Sequence, residues 1–160
     1  MKKIIHIANF NLIRLKGCFQ VGFPFKISNG LTRAGCAVFN YPDRDLCRMF
    51  GFGHMNWWAK RKLNQHLINY CKVMEPDALF VGHADQIEED TLLKIKEMFP
   101  HLKILQWSCD WIVPEYAERN IAAVKSKIKA ADVNLISTGD KRLLQQFKTA
   151  NNKVGYLPNM

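Results

Sequence analysis

The chain has 160 residues, of which 48% are hydrophobic and 23% are charged, and this composition is typical of one globular domain. It excludes a disordered tail and a fibrous rod, and no apolar run approaches the ~20 residues that a membrane-spanning helix needs. The formal net charge of +9 indicates either a solvated basic face or an anionic partner: a nucleic acid, a phospholipid surface or a phosphorylated small molecule.

Apolar periodicity and turn residues predict strands that alternate with helices along the whole chain. The predicted strands cover residues 2–10, 37–40, 78–82, 103–107, 133–137 and 153–157. The predicted helices cover residues 25–33, 58–74 and 88–99, a segment that begins at Pro114 and a segment capped by Asp140. This alternation predicts an α/β fold, in which residues 1–160 form one domain: a doubly wound, Rossmann-like parallel sheet with helices on both faces.

The N-terminus and the cysteines predict a cytoplasmic protein. The start of the chain imitates a signal peptide, but His6, Asn9 and Asn11 interrupt its apolar stretch, and no small-residue cleavage site follows. The five cysteines are an odd number and no two form a C-x-x-C pair, so their spacing fits neither a zinc site nor a set of disulfides. We therefore expect reduced thiols in a core.

Residues that follow the predicted strands are the candidates for a binding site, because ligands bind beyond the carboxyl ends of the strands in such sheets. These residues are Asn9, Asn11, Asp43, Arg44, His83, Trp107, Asp110, Trp111 and Thr138. Polar side chains that meet at one sheet edge are what a binding crevice requires.

Asp110 and His83 are the candidate catalytic residues within this set. Asp110 lies between Trp107 and Trp111, and a carboxylate flanked by apolar surface is suited to accept a proton; a cap for the following turn is the alternative. His83 is a candidate to bind a hydroxyl or phosphate group, or to make a structural hydrogen bond. The two tryptophans are candidates to stack on a sugar ring, and core packing is the alternative.

Motifs that would identify other enzyme classes are absent from the sequence. The first turn has no G-x-G-x-x-G, and the chain has no G-x-x-x-x-G-K-[ST] phosphate loop, so a dinucleotide or nucleoside triphosphate site is not predicted. There is also no H-E-x-x-H and no G-x-S-x-G, which argues against a zinc protease and an α/β-hydrolase.

Residues 49–62 combine aromatic and basic side chains, which is typical of a membrane interface or a nucleic-acid site. The residues expected to contact an anionic membrane surface or an acceptor are Trp57, Trp58, Lys60, Arg61 and Lys62. The alternative is a helix N-terminus that docks its aromatic side chains on the sheet.

Four stretches follow one another along the chain: ISNGLTRAG at residues 27–35, YPDRD at 41–45, EEDTL at 88–92 with WSCD at 107–110, and VGYLPN at 154–159. In this order they resemble the N-terminal domain of GT-B-fold glycosyltransferases, in particular the group described as glycosyltransferase group 1 or spore-maturation-protein-like. The Gly-rich turn that many relatives have after the first strand is replaced here by Asn9-Phe10-Asn11-Leu12.

The resemblance implies an enzyme that transfers a sugar from a nucleotide-sugar donor to a cell-envelope or polysaccharide acceptor. It implies no metal cofactor, because the fold binds the diphosphate with backbone amides and basic side chains. The first domain would hold a sugar or lipid-linked acceptor, with Asp110 as the base and with His83, Asn9 and Asn11 as binding groups. A C-terminal domain, which these residues do not include, would bind the donor, so we expect this chain alone to be inactive.

Two alternatives remain open beside the transferase. One is a non-catalytic Rossmann-like module that binds a partner or an anionic ligand. The other is a nucleic-acid-binding domain that uses the basic aromatic segment, although nucleic acid is not the expected partner. If the transferase acts on lipid-linked acceptors, we expect peripheral attachment to the inner membrane face.

Overall fold

The computed structural model describes residues 1–13, 22–110, 112 and 117–158. In this part of the chain, strands and helices alternate as predicted. The elements are β1 (Lys3–Ala8), α1 (Phe23–Arg33), β2 (Ala37–Pro42), α2 (Asp43–Phe50), α3 (Trp57–Met74), β3 (Ala78–Val81), α4 (Glu89–Met98), β4 (Lys103–Ser108), α5 (Ala117–Lys125), β5 (Val133–Ile136), α6 (Lys141–Gln145) and β6 (Lys153–Tyr156).

The strands form one parallel sheet in the order β2-β1-β3-β4-β5-β6, which confirms the predicted Rossmann-like α/β fold. Parallel neighbours need long crossover connections, and the helices supply them. The chain first moves outward from β1 to β2 and then returns to the other side of β1 with β3. This reversal places the carboxyl ends of the central strands around a crevice, where such sheets bind their ligands.

Helices cover both faces of the sheet. On one face, Ile4 and Phe80 pack with Phe25 and Leu31 of α1. On the other face, α2, α3 and α4 bury a larger core, and its fully buried members include Ile5, Leu63, Leu67, Leu79, Leu92 and Ile95. Near the β5–β6 edge, Val124, Ile136 and Phe147 form a smaller cluster with residues of α5 and α6. The strands are buried because helices pack against them, as expected for a parallel sheet.

The structure differs from the sequence prediction at two helices. The residues after Pro42 belong to no predicted helix or strand, but they begin the eight-residue helix α2. Its first turn contains Asp43 and Asp45, and acidic residues stabilise a helix N-terminus. Both side chains are buried, so the polar composition of this segment gave no sign that it packs as a helix. The helix expected from Pro114 to about residue 131 ends at Lys125, and turns follow it.

The cap predicted for the last helix is confirmed. The Asp140 side chain accepts a hydrogen bond from the Arg142 amide at 2.8 Å and caps α6. The four cysteines in the described residues are free thiols, and Cys47 and Cys71 are fully buried. None of the described helices is both long enough and apolar enough to cross a membrane.

Candidate functional site

A cavity of about 160 Å³ lies beyond the carboxyl ends of β3 and β4, next to the end of α5. Four of the predicted site residues line it: Arg44, His83, Trp107 and Asp110. They come together because β3 and β4 are neighbours in the sheet, and Gly82-His83 and Cys109-Asp110 follow these strands directly. The sheet edge therefore brings together the two residues that the sequence marked as catalytic candidates.

At the mouth of this cavity, the His83 imidazole lies between two other polar groups. Its Nε2 is 3.5 Å from Asp110 Oδ1 and 3.4 Å from Cys109 Sγ. Both His83 and Asp110 are partly exposed, at 33% and 38% of their side chains, so a ligand can reach them. Burial, and then the negative charge of Asp110, raise the pKa of the Cys109 thiol, which therefore stays protonated at neutral pH in the free protein.

The inner wall of the cavity carries two buried polar side chains that the sequence analysis missed. Gln106 donates a hydrogen bond from Nε2 to the Val124 carbonyl at 3.1 Å, and its Oε1 has no partner among the described residues. Lys127 is only 7% exposed, and its ammonium contacts the Ser126 hydroxyl at 3.3 Å. Burial lowers the pKa of Lys127, and the charges of Asp43 and Asp85 partly oppose this effect.

Acidic and basic groups also surround the cavity at the exit of β2. Arg44 donates from Nε to Asp85 Oδ1 at 2.7 Å, which fixes its guanidinium at the rim. Asp43 is fully buried behind it and accepts a hydrogen bond from the Gln86 amide at 3.2 Å. Burial, with a smaller contribution from the Asp85 charge, raises the pKa of Asp43 to about 7.

Trp107 packs in the core beside the site, which favours the core-packing alternative over stacking on a sugar. Its side chain is 1% exposed, so neither face of the ring is free. Its indole nitrogen donates to His6 Nε2 at 3.1 Å, and its ring lies edge-on to His83, with 5.7 Å between the centroids. A Cβ atom at Gly82 would collide with this indole, so the strand exit needs glycine.

Several other predicted site residues do not line this cavity. Asn9 is half-buried, and its Oδ1 is buried without a partner in the described part of the chain. Asn11 has a left-handed backbone, with φ of 52°. The Thr138 hydroxyl accepts a hydrogen bond from the Asp140 amide at 3.3 Å, so it belongs to the turn before α6. Trp111 lies outside the described residues.

The basic aromatic segment is exposed on another part of the surface. Phe52 and Trp57 are 90% and 76% exposed, so these two rings are not packed on the sheet, and only Phe50 contacts the core. The Lys62 ammonium lies 3.7 Å from the ring centroid of Trp58. Lys60 is paired with Glu88 at 3.3 Å, whereas Arg61 is exposed next to Trp57 and Trp58 in a shallow groove.

The missed residues had weak signals in the sequence. Gln106 stands inside an apolar strand, where a polar side chain needs a partner or a ligand. Lys127 follows the last turn of α5 and is indistinguishable in sequence from its exposed neighbours Lys125 and Lys129. Comparisons with known proteins add no assignment here, because no protein-family model and no curated protein matches the chain.

Proposed function

We propose that this chain is the acceptor-binding domain of a glycosyltransferase with the GT-B fold, and that the cavity beyond β3 and β4 holds the acceptor sugar. The observation that carries the proposal is the pairing of Asp110 with His83 at the mouth of a cavity whose inner wall has an unpaired acceptor and a buried cation. The order of motifs along the sequence supports the same function.

The polar groups of the cavity suit a polyhydroxylated ligand better than a multiply charged one. Gln106 Oε1 and the Asp110 carboxylate accept hydrogen bonds, while Lys127 and Arg44 donate them. A sugar hydroxyl both donates and accepts, so neighbouring hydroxyls can satisfy groups of both kinds. A phosphate dianion can only accept hydrogen bonds. It would therefore leave Gln106 Oε1 without a donor, and it would add a further negative charge to the site.

In the proposed reaction, Asp110 receives the proton of the acceptor hydroxyl as the acceptor oxygen bonds to the donor sugar carbon. The bond from that carbon to the nucleotide diphosphate breaks at the same centre, and the diphosphate leaves with the electron pair. His83 orients the carboxylate when its Nε2 carries the proton, and it then donates toward Asp110 Oδ1. A general base of this kind typically contributes ~100- to 10,000-fold in rate.

Donor binding is assigned in this proposal to a second domain outside these residues. The described part of the chain contains one sheet, and its first turn lacks the glycine-rich loop that cradles a dinucleotide. We therefore expect only weak binding of a nucleotide sugar by this chain, with Kd in the millimolar range, equivalent to about −4 kcal/mol.

The test is a titration of the isotopically labelled chain with a panel of monosaccharides and, separately, with UDP-glucose, followed by NMR. We expect the sugars to shift the side-chain amide of Gln106 and the backbone amide of His83. Gln106→Leu and Lys127→Met should each abolish the shift of the His83 amide, whereas Gln65→Leu, at an exposed position on α3, should leave it unchanged.

Three outcomes would contradict the proposal. One is micromolar binding of UDP-glucose in this cavity, which would make the chain a donor-binding domain. Another is the absence of any sugar-induced shift at the cavity. The third is tight oligonucleotide binding that weakens steeply with salt, which would favour a nucleic-acid-binding domain.

A further inference from the structure

We propose that His83, Cys109 and Asp110 form a zinc-binding site at the mouth of the cavity. Each side chain offers one ligand atom, and the three atoms lie within 4.8 Å of one another. The residues come from the exits of two adjacent strands, β3 and β4, whose pairing brings the two exits next to each other. A zinc ion on Asp110 and His83 would occupy the carboxylate that the proposed transfer uses as a base, so the two roles exclude each other at any one time. Metal binding does not require the transfer reaction, and the two proposals are tested separately.

The distances agree with tetrahedral zinc coordination. Zinc bonds of ~2.0–2.1 Å to nitrogen, ~2.3 Å to sulfur and ~2.0–2.2 Å to oxygen place tetrahedral ligands about 3.6 Å apart for nitrogen and sulfur, and about 3.4 Å apart for nitrogen and oxygen. In the structure, His83 Nε2 is 3.4 Å from Cys109 Sγ and 3.5 Å from Asp110 Oδ1. The third pair, Cys109 and Asp110, lies within 4.8 Å, so an ion could bind with side-chain shifts of about 1 Å or less.

The chemistry of the three ligands selects zinc over the common hard cations. A thiolate and an imidazole are preferred ligands of zinc, whereas magnesium and calcium take oxygen ligands. On binding, the S–H bond of Cys109 is replaced by a zinc–sulfur bond, and the proton leaves to solvent. The thiolate and the Asp110 carboxylate then balance the two positive charges of the ion, while Arg44 remains paired with Asp85.

The surroundings orient the ligands and leave the site open. The His83 ring packs edge-on against the buried Trp107, with an interplanar angle of 88°. The Ser137 hydroxyl donates to the main-chain carbonyl of Asp110 at 3.0 Å, which anchors the loop after β4. Three protein ligands leave the fourth position for water or for a bound hydroxyl, which is the arrangement of zinc sites that are open to ligands.

The experiment measures metal binding by the reduced chain. Zinc is titrated in competition with a chromophoric chelator, and cobalt(II) is titrated separately while its visible spectrum is recorded. We expect one equivalent of zinc to bind in the micromolar range or tighter, and cobalt to show a thiolate-to-metal charge-transfer band. His83→Gln, Cys109→Ser and Asp110→Asn should each weaken zinc binding at least ~10-fold, because loss of even an outer-shell partner costs that much.

The control is Cys36→Ser, which removes a partly buried thiol outside the triad and should leave both affinity and spectrum unchanged. Circular dichroism establishes that each variant is folded, and any folded member of the three triad variants is sufficient for the test. The proposal is overturned if the wild-type chain binds no zinc at micromolar concentration. It is also overturned if Cys109→Ser keeps the charge-transfer band or if the control variant loses it.

Discussion

The Trp107 indole donates a hydrogen bond to Nε2 of His6 at 3.1 Å, although the two residues are 101 positions apart. Because an indole nitrogen can only donate, His6 Nε2 must be unprotonated and the ring hydrogen lies on Nδ1. That nitrogen donates to the Ser28 hydroxyl at 2.7 Å, and Ser28 lies 2.7 Å from Asn40 Oδ1. A chain of hydrogen bonds, buried from Trp107 to Ser28, therefore joins the wall of the cavity to α1 and β2.

This network predicts that acid destabilises the protein through His6. Burial lowers the pKa of His6 to about 3, whereas the unfolded chain has the ordinary value of 6.5. The unfolded state therefore binds a proton that the folded state does not bind, and stability is lost as the pH falls from 6.5 toward 3. The loss is up to ~1.4 kcal/mol per pH unit, or about 2 kcal/mol at pH 5.

The measurement is the free energy of unfolding in urea at pH 5 and pH 7.5. Glutamine can accept from Trp107 and donate to Ser28, so His6→Gln should keep the contacts and remove this acid sensitivity. His101→Gln, at an exposed position, is the matched control. An identical pH dependence in the His6→Gln variant and the wild type would show that His6 is not the responsible group.

The raised pKa of Asp43 predicts that stability changes with pH in the opposite direction, over nearly the same pH range. Its pKa is about 7 in the folded protein and 3.8 when unfolded, so the folded state holds a proton that the unfolded state has lost. Stability from this group is complete below pH 3.8 and is lost as the pH rises to about 7. We expect Asp43→Asn to gain roughly 2 kcal/mol over the wild type between pH 5 and 7.5.

The control for Asp43 is Asp90→Asn at an exposed position on α4, which should not change the pH dependence. In the wild type the His6 and Asp43 effects oppose each other, so the observed stability should vary little between pH 5 and 6.5. The single variants should reveal slopes of opposite sign. If stability depends on pH in the same way in Asp43→Asn and in the wild type, ionisation of Asp43 costs the folded protein little free energy.

Substitution by alanine should have opposite effects on stability at Gly82 and at Gly30. The new methyl group of Gly82→Ala would collide with the buried Trp107, which cannot move away, so we expect a loss of ~1–3 kcal/mol. Gly30→Ala lies inside α1 with open space around it, and it should stabilise the protein by ~0.5–1 kcal/mol. Urea denaturation of both variants measures the difference, and a change of the same sign at both positions would contradict this packing argument.

If the chain is the acceptor-binding domain of a transferase, as proposed, Asp110 should be essential for sugar transfer by the full enzyme. Asp110→Asn preserves the shape of the side chain and removes the base, so kcat should fall ~100- to 10,000-fold. Asp140→Asn, a change that keeps the cap of α6, is the control and should keep full activity. Activity of Asp110→Asn within about threefold of the parent would leave Asp110 with a structural role.

The exposed aromatic segment is expected to bind anionic membranes reversibly. Trp57 can insert at the headgroup level, and each nearby cation contributes about 1 kcal/mol, so replacing Lys60, Arg61 and Lys62 by Gln should cost about 3 kcal/mol of binding. Co-sedimentation with anionic and neutral vesicles measures this effect. The control is Lys72→Gln, an exposed cation near the other end of α3. Equal binding to both vesicles, or binding to neither, would exclude a membrane role for this segment.

The sequence by itself determined the class of fold, because apolar periodicity reports which face of each element is buried. The strand exits were also predictable. His83 and Asp110 were chosen because each follows a buried apolar strand, and the carboxyl ends of parallel strands share one edge. The period of α3, with Leu63 and Leu67 on its buried face, identified the longest helix to within one residue of its start.

Only the tertiary structure decided what lies across from each buried face. Periodicity does not identify neighbours, so the order of the strands, the contact of Trp107 with His6 and the burial of Lys127 could not be predicted. The approach of Cys109 and Asp110 to His83 depends on β3 and β4 being adjacent, because these residues are far apart along the chain. The cysteine spacing therefore gave no sign of a metal site, since the three ligand atoms meet only in the folded sheet.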